Sequence, residues 1–144
     1  QCPVPPAVYC QAKLNSLQCL PAVHFTGVPN LSSSLLFDIW ADQVLNKKLG
    51  LLFYGFSPDN APFQGGTLCV QLPAQRTSIQ GSGGSPTGLD CTGAFHYDFL
   101  ARIQSGQDPN LVAGAAVYVQ YWARDFQDPY GTSLTDAVSF TICN

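Results

Sequence analysis

Six cysteines, at positions 2, 10, 19, 69, 91 and 143, constrain this chain more than any other feature. No two of them form the C-x-x-C type of pair that a structural zinc site needs, and only two histidines are present. The even count points to three disulfides, no metal and no cofactor, in an oxidising compartment that is extracellular or at the cell surface. Six cysteines allow fifteen pairings, and spacing alone does not choose among them. The leading expectation is a local Cys10–Cys19 loop, a Cys69–Cys91 bridge and a Cys2–Cys143 clasp between the two ends of the sequence. Each bridge would add about 2–4 kcal/mol, chiefly by restricting the unfolded chain.

The cysteines are not needed to rescue a domain too small to fold. A chain of 144 residues, 46% of them hydrophobic, can bury a core unaided. Only 10% of the residues are charged, against roughly 25% in an average domain. All nine acidic residues are Asp, and both Glu and Met are absent, which leans the composition away from helix. A net charge of −3 without a basic stripe gives no footprint for nucleic acid or anionic lipid. No apolar run reaches the ~18–20 residues of a membrane-spanning helix, so no membrane insertion is expected. A start at Gln1 rather than Met is what a mature product would show after loss of a signal peptide.

Period-2 alternation dominates the pattern. Residues 35–41 place Leu35, Phe37, Ile39 and Ala41 on one parity and Asp38 on the other. Residues 95–103 repeat this, with Phe95, Tyr97, Phe99, Ala101 and Ile103 opposite His96, Asp98 and Arg102. Val138, Phe140 and Ile142 alternate with Ser139 and Thr141. Segments 51–56 and 115–123 are apolar on both faces and read as central strands, while 67–72 and 76–80 are shorter candidates flanking Pro73. Turn-rich connectors lie between them, and one short helical turn is expected after Asp108-Pro109. The reading is all-β: an antiparallel sandwich of seven or eight strands, Ig-like or jelly-roll-like, over residues 19–144. Residues 1–18 read as a Pro-rich arm with a local disulfide loop. Pro3, Val4, Pro5, Pro6, Ala7 and Val8 favour polyproline II and would lie across their own domain or reach a neighbour.

Several motifs in combination resemble an uncharacterised family of secreted β-domains from planctomycete-type and other environmental bacteria. They are Tyr9-Cys10 with Cys19, residues 50–55, residues 62–70, and Gly83-Gly84 ahead of Asp90-Cys91-Thr92-Gly93. Gln120-Tyr121-Trp122 with Arg124-Asp125, and residues 134–137 leading to 140–143, complete the set. The resemblance covers nearly the whole chain and implies secretion and a β-fold. In that family the module usually closes a longer extracellular polypeptide, whereas the expectation here is a stand-alone domain, and no activity is implied.

Candidate chemistry is sparse. A nucleophilic triad needs a base, and only His24, in a Pro-flanked loop, and His96, on the solvent parity of its strand, are available. No G-x-S-x-G elbow accompanies them. Most aspartates sit in or beside turns, where backbone hydrogen bonding accounts for them. Asp125 and Asp128 form a weak calcium candidate without EF-hand spacing. Asn30-Leu31-Ser32 has the form of a glycosylation sequon. The most informative stretch is Tyr118, Gln120, Trp122 and Arg124, which share one parity. Such a face would grip a glycan or a protein partner. The preferred structural alternative has Trp122 filling the core between the sheets while Gln120 and Arg124 anchor loops. Trp40 is similarly ambiguous. The expected function is a non-catalytic extracellular structural subunit that self-associates through strand edges and the arm. A carbohydrate-binding or adhesive module is the alternative.

Overall fold

Alternating apolar side chains build two antiparallel sheets whose inner faces share one core. The protein is described as a computed structural model covering residues 2–144. Its strands are β1 (Ala7–Tyr9), β2 (Ala22–Gly27), β3 (Phe37–Val44), β4 (Leu49–Gly55), β5 (Pro58–Phe63), β6 (Gly66–Val70), β7 (Gln75–Arg76), β8 (Gln80–Gly81), β9 (Gly93–Asp98), β10 (Ala116–Arg124) and β11 (Thr132–Thr141). Among the described residues one helix, α1 (Phe99–Ser105), is present, directly after β9. The large sheet runs β1-β11-β10-β4-β7, with β8 also on β4; the small sheet runs β2-β3-β9; β5 and β6 form a separate hairpin. All these pairs are antiparallel. The chain is therefore all-β, as its alternation implies.

The core joins Val23, Phe37, Ile39, Ala41 and Phe95 of the small sheet to Leu52, Tyr54, Val117, Val119, Tyr121, Val138 and Phe140 of the large one. The Tyr121 hydroxyl donates to the carbonyl of Ile39 at 2.6 Å, so this buried polar group between the sheets is satisfied. Phe95 and Tyr121 stack across the core with ring centroids 5.4 Å apart. Burying side chains of this size contributes roughly 1.5–3 kcal/mol each.

Segment 95–103 is not one long strand. It is β9 and then α1. Asp98 caps the helix by accepting the N–H of Ala101 at 3.0 Å, and Gly106 ends it in the left-handed conformation (φ 74°). Phe99 and Ile103, four residues apart, fit a helical face as well as a strand parity, and both are buried. After Asp108-Pro109 the chain makes one hydrogen-bonded turn, Leu111 N–H to the Asp108 carbonyl at 3.2 Å, that does not extend into a helix. Asp108 also accepts hydrogen bonds from the Tyr54 hydroxyl (2.5 Å) and the Asn110 N–H (3.0 Å).

Only the Cys2–Cys143 bridge follows the leading expectation. The other two are Cys10–Cys69 and Cys19–Cys91, with Cα–Cα separations of 6.1 and 6.6 Å. The local Cys10–Cys19 loop fails because residues 10–19 cross the end of the large sheet. There the Lys13 N–H bonds the Leu134 carbonyl, and Ser16 bonds Asp125. Cys10 is left beside the hairpin and Cys19 beside the loop entering β9. Part of the arm folds onto its own domain too, since Ala7 and Val8 pair with Ser139 and Val138. Non-reducing peptide mapping is expected to recover Cys10–Cys69 and Cys19–Cys91 peptides. Asp98→Ala is expected to lower stability by about 0.5–2 kcal/mol in denaturant titration, the loss typical of an N-cap.

Candidate functional site

The outer face of the large sheet is apolar, because Leu51 and Phe53 on β4 lie beside Trp122 and Gln120 on β10. The β5–β6 hairpin covers part of it, and one side chain holds the hairpin there. Gln120 is fully buried. Its amide donates to the carbonyls of Thr67 (3.0 Å) and Thr135 (2.7 Å) and accepts the Cys69 N–H (3.0 Å). It thus substitutes for a strand along the free edge of β6. The Tyr9 hydroxyl adds a bond to the Cys69 carbonyl at 2.6 Å, and the Cys10–Cys69 disulfide lies next to it.

Beyond the hairpin the face stays open as a groove of about 360 Å³, within the size range of small-molecule sites. Leu51, Phe53, Phe63, Leu68 and Trp122 give it an apolar lining, and Gln64 and Arg76 are its polar members. Trp122 is half-buried; its Nε1 donates to Gln64 Oε1 at 3.2 Å. The exposed Arg124 guanidinium lies 5.0 Å from the Trp122 ring centroid.

The four residues of shared parity therefore divide. Tyr118 is half-buried, edge-on to Tyr9 at 5.8 Å, and belongs to the small cluster beneath the hairpin. Gln120 is an internal tether. Only Trp122 lines the groove, with the Arg124 guanidinium over its ring. Trp122 does not fill the core between the sheets, since β10 points it to the outer side, opposite the inward Tyr121 and Ala123.

The small sheet carries a second constellation that the sequence pattern did not reveal. His24 lies on β2, not in a loop, and cross-strand pairing sets it beside Trp40, which in turn sits beside His96. The three rings stack, with centroids 4.3 and 5.7 Å apart. Each imidazole contacts a carboxylate at 2.8 Å, His24 with Asp42 and His96 with Asp38. The Trp40 Nε1 donates to Thr26 at 3.0 Å. The imidazoles are 38% and 63% exposed, so the rings form a ridge on an open face rather than a general base in a cavity.

The calcium candidate does not survive. Asp125 is buried and accepts the Ser16 N–H and hydroxyl, while Asp128 pairs with Lys13 at 2.8 Å. A neighbouring ammonium repels the cation such a loop would have to hold, and no acid, His or Cys cluster suited to a metal occurs among the described residues. Lys13 also donates to the carbonyls of Gln64 (2.7 Å) and Thr132 (3.0 Å), which uses all three of its donors. Elsewhere, burial and a hydrogen bond to Asp108 push the Tyr54 phenol far up, so this internal hydroxyl keeps its proton.

No family model, curated protein or solved structure matches the chain.

Gln120→Leu leaves three backbone groups without partners, at about 1–3 kcal/mol each. It is expected to lower the midpoint of unfolding and to speed hydrogen exchange at the Cys69 amide. Burial works against the Asp128 carboxylate, yet the Lys13 ammonium and the Tyr130 N–H hold it below its usual 3.8. A lowered folded value stabilises above the ordinary carboxylate range, and that share is lost as pH falls through the lowered value. Lys13→Met is accordingly expected to cost about 3 kcal/mol at pH 7, where it strands a buried carboxylate. In denaturant titrations at successively lower pH, the gap from the unmutated protein is expected to narrow.

Proposed function

We propose that this chain is a non-catalytic extracellular structural domain that self-associates, at a cell surface or in a filament. The observation that carries the reading is the character of its surface. Fifteen large hydrophobic side chains are exposed, as many as the fifteen charged residues of the whole sequence. Single exposed apolar residues are ordinary, but here they include the adjacent Leu35 and Leu36, and Leu72 at the groove. Three disulfides mark a chain for an oxidising, non-cytoplasmic environment. Among the described residues no helix is long and apolar enough to cross a membrane. The resemblance to secreted bacterial β-domains belongs to the same proposal.

The route of contact proposed here runs through side-chain faces more than through strand edges. Pro5 and Pro6 stand just before β1, and Pro58 and Pro62 lie in β5; they remove donors where a neighbour would add a strand. The arm offers Val4, 63% exposed, while Ala7 and Val8 are already paired within the domain.

Glycan binding is the second reading, favoured by one observation: Trp122 keeps part of its ring open in a groove that holds Gln64 and Arg76. Sedimentation velocity over a rising concentration series, with electron microscopy of the same samples, separates the two. Growth of regular oligomers or filaments is expected. A strict monomer that binds a glycan, and loses it on Trp122→Ala with the fold intact, would replace the first reading by the second.

A further inference from the structure

We propose that the occupant of the Trp122 groove is a second copy of this chain, which presents the outer face of its small sheet. This rests on the self-association reading and names the two surfaces that meet.

The argument begins with where the charges are. Of six cations, Lys13 is buried in its ion pair, Lys47 bonds the Pro86 carbonyl, Lys48 lies over Phe126 and Arg102 bonds the Tyr54 hydroxyl. The remaining two are both exposed: Arg76 lines the groove, which no carboxylate lines, and Arg124 lies over the ring of the groove residue Trp122. Among the described residues neither takes part in a salt bridge.

The outer face of the small sheet has the opposite character. Asp38, Asp42 and Asp98 share it with His24, Trp40 and His96. Asp38 and Asp98 are direct cross-strand partners, with Asp38 against His96 and Asp98 capping α1, so two carboxylates stand on neighbouring strands of this face. An arginine arriving from a neighbour would meet this acidic face as a counter-charge. The apolar character of the two surfaces agrees with their charge: the stacked rings form an aromatic row on an open face, and the groove is a largely apolar recess lined in part by Trp122.

The two surfaces lie on opposite sides of the shared core, because one is the outer face of the small sheet and the other that of the large sheet. A contact between different patches on opposite sides is heterologous and does not close on itself as a two-fold dimer does. Repetition then gives a ring or an open filament.

Three variants test this on the full chain: a groove variant (Arg76→Asp with Arg124→Asp), a face variant (Asp38→Lys with Asp42→Lys), and a swap carrying all four changes. Sedimentation velocity is expected to show association at least roughly tenfold weaker for each double variant alone. Mixing the two is expected to restore assembly with alternating copies, since the intact face meets the intact groove at one contact and the Lys face meets the Asp groove at the next. The swap is expected to assemble again, which rules out misfolding as the cause of the losses. If the unmutated protein assembles and the face variant does so equally well, this inference is wrong while self-association stands. If the unmutated protein stays monomeric at every concentration, the self-association reading itself fails.

Discussion

One buried amide decides the shape of the outer surface. Gln120 sits on a central strand with no solvent access, and its side chain is bonded to two carbonyls and one N–H. Without those bonds the free edge of β6 would hold unpaired backbone groups against an apolar sheet face, a costly arrangement. With them, the hairpin becomes a fixed wall. The groove exists because that wall stops short of Leu51 and Trp122. Cys10–Cys69 and Lys13 reinforce it from the arm side, the latter through the Gln64 carbonyl.

The bridges suit this role. None is local; the shortest closes a sequence separation of 59. Long closed loops take the most entropy from the unfolded chain. They also tie the arm to the hairpin and to the entrance of the small sheet, so the two outer faces are held by covalent links as well as by packing. A domain built this way can keep two separate surfaces in fixed relation. A subunit that meets different neighbours on opposite sides needs that property.

Much of the fold was legible in the alternation. Phe37, Ile39 and Ala41 point inward and Asp38 outward, as their parity implies, and segments 51–56 and 115–123 overlap most of β4 and β10. Segment 95–103 misled because an i, i+4 apolar pair falls on a period-2 pattern as well, and only the capping by Asp98 distinguishes them. The bridges misled because sequence proximity is a poor guide once a segment crosses the end of a sheet. Trp122 and Arg124 were readable as a face, whereas the inward-turned role of Gln120 depended on a hairpin whose docking no local pattern encodes. The His24–Trp40–His96 ridge needs the register of three strands, which spacing along the chain does not contain.

Hydrogen exchange with mass spectrometry, on dilute and concentrated protein side by side, tests the groove as the meeting place most directly. Association there is expected to slow exchange around residues 63–66 and 72–76, with matching protection on β2 and β9, the outer strands of the small sheet. Protection that rises with concentration but falls on other surfaces, or no change at any concentration, would contradict the account.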